Sequence, residues 1–137
     1  MSLTDKKLVQ GFYTSNFYKD PEEVKMYLHP EAELYWNSSA GFNKMDFQDV
    51  MKMSSEISKT FESLRAEISH LLYDKNEVTI RFTYHIKTIE NPEEEIPMAH
   101  FIAIWEIKDG KMFKGYQISQ AADETPENLS SFLSTNF

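Results

Sequence analysis

Tyr35 and Asn37 lie two residues apart in a stretch rich in strand-forming types, and Arg81 and Thr83 lie two apart in another. Strand side chains alternate between faces, so each pair points one way. His85, His100 and Gln117 follow in or beyond the second stretch, in further strand-like segments. A phenol, carboxamides, a guanidinium and an imidazole supply the donors and acceptors that orient a small polar molecule. Within the set Tyr35, Asn37, Arg81, Thr83, His100 and Gln117, only His100 has an ordinary pKa suited to proton transfer near neutrality, which makes it the candidate acid/base residue.

Other chemistries find less support. His70, His85 and His100 invite a three-histidine metal site. A turn at Asp74, Lys75 and Asn76 sets His70 beside Ile80, several residues along the strand from His85, so the three do not converge on one ion. His85 and His100 alone, as diagonal neighbours about 7 to 8 Å apart, make a weak site without a carboxylate on their face. No metal and no cofactor is expected. The chain has no cysteine, which removes thiolate nucleophiles and disulfides together. Its four glycines, Gly11, Gly41, Gly110 and Gly115, are scattered, and none opens a phosphate-cradling loop. No serine sits in a nucleophile-elbow pattern.

The elements that must carry these residues show in the periodicity. Thr4 is positioned to cap a first helix in which Leu8, Val9, Phe12, Tyr13 and Phe17 share an apolar face. Asp20, Pro21 and Glu23 make a capping box for a short helix that His29-Pro30 ends. A strand follows at 32–37, then a polar loop around Gly41, then a third helix from Asp46 with Phe47, Val50, Met51, Ile57 and Phe61 on one side. From Leu64 the period alternates, giving strands near 64–73, 77–87, 97–107 and 111–120, with a solvated acidic loop at 93–95. Leu129, Phe132 and Leu133 suggest a small helical cap in the tail from Thr125 to Phe137. Helices first and a strand meander second predict an α+β fold, with the helices packed on one face of a curved, mainly antiparallel sheet.

Register then assigns the faces. A two-residue turn at Asp109-Gly110 sets Lys108 against Lys111, and counting back sets Trp105 against Lys114, Ile102 against Gln117 and His100 against Ser119. Matching apolar to apolar places Val78, Ile80, Phe82 and Tyr84 beside Trp105, Ala103, Phe101 and Ala99. The opposite face gathers Thr79, Arg81, Thr83 and His85 beside Ile104, Ile102, His100 and Met98, with Gln117 on the last strand. That second face is either solvent-facing or a subunit interface, or else the polar wall of a ligand cleft.

Length and charge narrow the partners. The 137 residues fit one domain spanning 1–137. Fourteen basic against twenty-two acidic residues leave a net charge of -8, which disfavours nucleic acid and anionic membrane surfaces. The absence of a leader-like segment or an eighteen-residue apolar run points to the cytoplasm. Aromatic residues make up 14% of the chain, enough to wall a core or a cavity with rings.

The order helix, capped short helix, strand, helix, meander resembles the nuclear transport factor 2-like superfamily, particularly its SnoaL-like branch. The resemblance rests on His29-Pro30-Glu31-Ala32-Glu33-Leu34-Tyr35-Trp36-Asn37 ahead of Gly41, on Val78-Thr79-Ile80-Arg81-Phe82, and on Asp109-Gly110-Lys111-Met112. It implies a strongly curved sheet forming a cone with a pocket, a small-molecule ligand, and homodimers packed through the sheet. Limonene epoxide hydrolases of the superfamily resemble this chain at Tyr35, Asn37 and Arg81, but Thr83 and Gln117 stand where their two acids would be. The polyketide cyclases likewise place an acid where Gln117 stands, and ketosteroid isomerase places its base near Trp36-Asn37. The resemblance therefore favours binding of a small, partly apolar organic molecule by Tyr35, Asn37, Arg81, Thr83, His85, His100 and Gln117. The alternatives are an isomerase, dehydratase, cyclase or hydrolase using His100 as acid/base, and a protein-interaction module using the sheet face.

Overall fold

The computed structural model describes residues 2–122 and 125–131. Helices α1 (Ser2–Thr14), α2 (Pro21–Tyr27) and α3 (Phe47–Thr60) are interleaved with strands β1 (Leu28–Ser38) and β2 (Gly41–Asp46). Strands β3 (Phe61–Asp74), β4 (Glu77–Thr88), β5 (Ile96–Lys108) and β6 (Lys111–Ala121) follow, then a short helix α4 (Pro126–Ser131). The strands form a six-stranded sheet in the order β2-β1-β6-β5-β4-β3, antiparallel except where β1 runs parallel to β6. The curved, unclosed sheet carries α1, α2 and α3, the expected α+β arrangement. The apolar cap expected from Leu129, Phe132 and Leu133 rests on side chains outside the described residues.

Polar caps set the helix starts. Asp20 caps α2 by accepting the Glu22 N–H at 3.0 Å, with Pro21 in the first position where its missing N–H costs nothing. Glu23 completes no reciprocal box there. That motif belongs to α3, where Asp46 accepts the Asp49 N–H at 2.9 Å and Asp49 accepts the Asp46 N–H at 3.0 Å. Thr4 lies inside α1 rather than ahead of it.

The first strand starts earlier than its apolar pattern suggests. Leu28 is already extended, and Pro30, which has no N–H to donate, falls where the β1/β6 register shifts between Leu28 and Glu33. The polar loop expected around Gly41 is strand β2, paired with β1 across a turn in which Ser38 opposes Gly41. Gly41 takes φ +109, a backbone conformation that side-chain-bearing residues rarely adopt.

The β4/β5 register is the expected one through the core. Val78 pairs with Trp105, Ile80 with Ala103, Phe82 with Phe101 and Tyr84 with Ala99. These residues floor the core under α1: the Phe82 and Phe101 rings stack at 5.0 Å, and the Tyr13 ring sits 4.6 Å from Phe82. A shift beyond Tyr84 sets His85 against Pro97 instead of Met98.

The β5/β6 register departs from expectation by one residue, and the departure decides where the site lies. Lys108 opposes Lys111 and Ile107 opposes Met112, as the turn requires. Phe113 is then left over as a bulge, so Glu106 meets Lys114, Trp105 meets Gly115, Ala103 meets Gln117 and His100 meets Gln120. The side chain of Asn76 holds the strand at this point, its Nδ2 donating to the Ile107 carbonyl at 2.6 Å while the Ile107 N–H donates to the Asn76 carbonyl at 3.1 Å. A one-residue slip turns every later side chain to the other face. Gln117 therefore faces the helices, and the expected grouping of Gln117 with Arg81 and His100 is corrected: they occupy opposite faces of the sheet.

Candidate functional site

Two cavities flank the sheet: a more open, more polar one of about 320 Å³ on the outer face beside His100, Ile118, Gln120 and Asn128, and an enclosed, apolar hollow on the helix side. Phe12, Tyr13 and Phe17 reach it from α1 and the turn beyond, Val50, Met53 and Ile57 from α3, and Trp36, Tyr84, Phe101, Trp105 and Gln117 from the sheet. About 80 Å³ of it is open to the centre of a water-sized sphere, several times the space one water needs. Its walls are almost wholly apolar side chains, which cannot hold ordered water well but match an organic ring system.

The polar groups in this wall are few: Trp36 Nε1 donates to Ser119 Oγ at 2.8 Å, and those of Trp105, Tyr13 and Gln117 are connected. The indole Nε1 of Trp105 donates to the Tyr13 hydroxyl at 2.8 Å, and that hydroxyl donates to Gln117 Oε1 at 3.2 Å. Gln117 is 8% exposed, and among the described residues nothing accepts a hydrogen bond from its Nε2. Tyr84, which is 7% exposed, likewise shows no hydrogen bond to its hydroxyl among the described residues. Burial pushes the Tyr13 and Tyr84 phenols well above the ordinary tyrosine range, although the Trp105 N–H opposes this at Tyr13. Both phenols remain protonated at any physiological pH. Among the described residues the lining holds no carboxylate and no histidine, so it presents hydrogen-bond donors without a general base.

The residues singled out in the sequence fall elsewhere. Tyr35 and Asn37 are on the outer face, where the Tyr35 ring stacks on Tyr116 at 5.4 Å and its hydroxyl donates to Glu33 at 2.9 Å; Asn37 is exposed. Arg81 is on the outer face too, but three strand spacings away, roughly 14 Å across the sheet. Its guanidinium donates to Ser69 Oγ and to the Ser131 carbonyl of α4, both at 2.9 Å. Thr83 and His100 form one buried unit: Asn128 Oδ1 of α4 lies 2.8 Å from His100 Nε2, and Thr83 Oγ1 lies 2.8 Å from Nδ1. With Asn128 as acceptor, Nε2 carries the proton and Nδ1 accepts from Thr83. His85 is paired with Glu67 at 2.9 Å, a carboxylate that the sequence reading had not placed on this face.

Two clusters thus replace one wall. Thr83, His100 and Arg81 lie together where α4 seats, His85 lies one strand position beyond, and neither they nor Tyr35 and Asn37 line the hollow. Of the seven candidates only Gln117 does. Among the described residues no group of three histidines or acids is placed to hold a metal ion. No described helix is long and apolar enough to cross a membrane. Tyr13, Tyr84 and Trp105, which read in the sequence as core, are polar-tipped residues that line the hollow, as is Trp36.

A fold and cavity of this kind define a class, and the sequence model of the SnoaL-like domain matches residues 9–114. The chain belongs to that family, within the nuclear transport factor 2-like superfamily. IdmH of Streptomyces antibioticus, a candidate polyketide cyclase, superposes with a TM-score of 0.68 at 14% identity, covering 84% of this chain and 91% of that one. AclR of Streptomyces galilaeus, a candidate hydroxylase, gives 0.70 at 16% identity over 87% and 80% of the two chains. A protein of ketosteroid isomerase-like fold from Catenulispora acidiphila, solved with trimethylamine, gives 0.65 at 9% identity over 96% of each. At such identities these likenesses establish the fold. No curated protein matches in sequence.

Proposed function

We propose that the chain binds a small, largely apolar organic molecule in the hollow between α1, α3 and the sheet. The observation that carries this reading is the cavity itself, walled by rings, with the Gln117 amide in its wall and no acceptor for its N–H groups among the described residues. These N–H groups are not sealed from solvent, and a ligand oxygen that enters the cavity gives them an acceptor. Acid/base catalysis by His100 is not part of the reading, because its ring is held between Thr83 and Asn128 on the other face. The descriptions of IdmH as a candidate polyketide cyclase and of AclR as a candidate hydroxylase agree with an organic ligand as a class.

The reading is tested with 2-acetonaphthone, a two-ring ketone, by titration calorimetry. One saturable site per chain is expected. Met53→Trp fills the hollow from α3, where the native side chain is only partly buried, and should weaken binding at least tenfold without unfolding the protein. Binding that ignores this substitution, or no saturable binding, would overturn the proposal.

We further infer that a second copy of the chain covers the outer face. Ile102, Ile104, Tyr116 and Ile118 are exposed there by 37%, 37%, 43% and 60%, side by side on β5 and β6. A contiguous apolar patch on a sheet is the usual mark of an interface, and a two-fold axis lets it cover itself. Lys114 and Glu106, paired across the two strands at the edge of this patch, supply opposite charges for a reciprocal contact. The wild type should sediment as a dimer at micromolar concentration, and Ile104→Lys with Ile118→Glu as a folded monomer. A monomeric wild type defeats the inference.

A further inference from the structure

The hydrogen-bond chain beneath the cavity fixes which end of the Gln117 amide meets the ligand. An indole N–H can only donate, so the Tyr13 oxygen must accept from Trp105, leaving the Tyr13 proton as the donor of the next bond. That proton reaches Gln117 Oε1 at 3.2 Å. Were the amide reversed, Nε2 could donate to the second lone pair of the Tyr13 oxygen, but the Tyr13 proton and Gln117 Oε1 would both lose their partner. The relay therefore turns Oε1 inward and Nε2 to the cavity.

We propose that the cavity selects ligands carrying an acceptor oxygen, an aryl ketone or related carbonyl compound, docked with that oxygen on Gln117 Nε2. This rests on the binding reading above and deepens it. Tyr84 supports the same polarity: the residue lines the hollow, its hydroxyl shows no hydrogen bond among the described residues, and burial keeps it protonated, so it too can donate. The remaining lining is rings and aliphatic chains, which accommodate the apolar body of such a molecule. In this arrangement Gln117 determines specificity and Tyr13 is a positioning residue, holding the amide in one orientation without touching the ligand oxygen. Because the donors are a neutral amide and a neutral phenol, they recognise the carbonyl without transferring a proton to it.

The test compares 2-acetonaphthone with its methylene isostere 2-isopropenylnaphthalene, in which =CH2 replaces the carbonyl oxygen and the shape is kept. The wild type should bind the ketone about tenfold more tightly, the discrimination expected of one good buried hydrogen bond. Gln117→Leu should bring the two affinities together while leaving the isostere bound; Gln117→Met serves the same comparison if the leucine variant does not fold. Tyr13→Phe releases the amide to rotate and should reduce the ketone preference by several fold, whereas a purely structural role for Tyr13 would weaken both probes equally and leave the ratio unchanged. Equal affinities in the wild type would overturn the donor inference while upholding the cavity as a binding site. Failure of both probes to bind would overturn the binding reading itself.

Discussion

Gly115→Ala is expected to destabilise the protein by about 2 kcal/mol in urea denaturation, although alanine is ordinarily the better residue outside special backbone conformations. A Cβ built on Gly115 would lie 2.6 Å from two atoms of the Trp105 indole and 2.7 Å from a third, closer than any real Cβ contact. The indole cannot simply swing away. It is 2% exposed, and its Nε1 is tied to the Tyr13 hydroxyl at 2.8 Å. The backbone-entropy gain from losing a glycine, about 0.4–1 kcal/mol, is smaller than the overpacking cost of about 1–3 kcal/mol, so the net sign is a loss. Trp105→Phe deletes the clashing part of the ring, so in that background the same alanine should cost little. The two substitutions should show a favourable coupling of about 1–2 kcal/mol in a double-mutant cycle, as residues in direct contact do. A Gly115→Ala protein as stable as wild type would mean that Trp105 does not sit over Gly115, and the β5/β6 register would have to be abandoned.

That register also marks where the sequence stopped being readable. The apolar face of β4 and β5 was legible because Val78, Ile80, Phe82 and Tyr84 alternate strictly with polar neighbours, and the pairing with Trp105, Ala103, Phe101 and Ala99 followed from matching like with like. The last strand carries no such alternation: Met112 and Phe113 are adjacent apolar residues, and Phe113 is the bulge, between Met112 and Lys114. Counting straight back from the Asp109-Gly110 turn carried the error into every later pair and put Gln117 on the wrong face. A signal was present, since only a glycine can pass beneath a buried tryptophan, and Gly115 lies one residue from the position that simple counting assigned opposite Trp105.

The starts of α2 and α3 read from the sequence because an N-cap is local, needing only Asp20 before Pro21 and Asp46 before Phe47; the reciprocal box expected at Glu23 and the cap expected at Thr4 did not form. Strand β2 did not read because nearly all of it is exposed, so no burial pattern is imprinted on Gly41 to Asp46. The cavity was invisible for a different reason. Tyr13, Trp36, Tyr84 and Trp105 have the spacing of core residues whether the space among them is filled or open, and sequence periodicity reports the direction of a side chain but not the volume left in front of it. The polar outer-face residues attracted attention by type. In the structure they serve to seat α4 and to pair with Glu33 and Glu67.

Phe82→Ala should produce the largest loss of stability of any single truncation near the site, about 3–5 kcal/mol. Phe82 is fully buried and is the hub of the ring cluster: parallel to Phe101 at 5.0 Å, edge-on to Tyr84 at 4.9 Å and tilted against Tyr13 at 4.6 Å. Its own volume is separated from the hollow only by Tyr13, Tyr84 and Phe101, which line the hollow from the other side. Truncation therefore removes the transfer energy of the ring and leaves a void that the surrounding strands, paired on both sides of β4, cannot collapse to fill. An apolar void of this kind stays dry and accepts a small aromatic molecule. Saturating toluene should accordingly raise the melting temperature of the variant by several degrees more than that of the wild type, since a ligand that binds only the folded state stabilises it in proportion to its occupancy. A modest loss, below about 1.5 kcal/mol, would show that the ring cluster repacks, as volume-conserving cores do. The wall of three rings between Phe82 and the cavity would then be too mobile to hold the Gln117 amide and Tyr84 hydroxyl in the fixed orientation that carbonyl recognition needs.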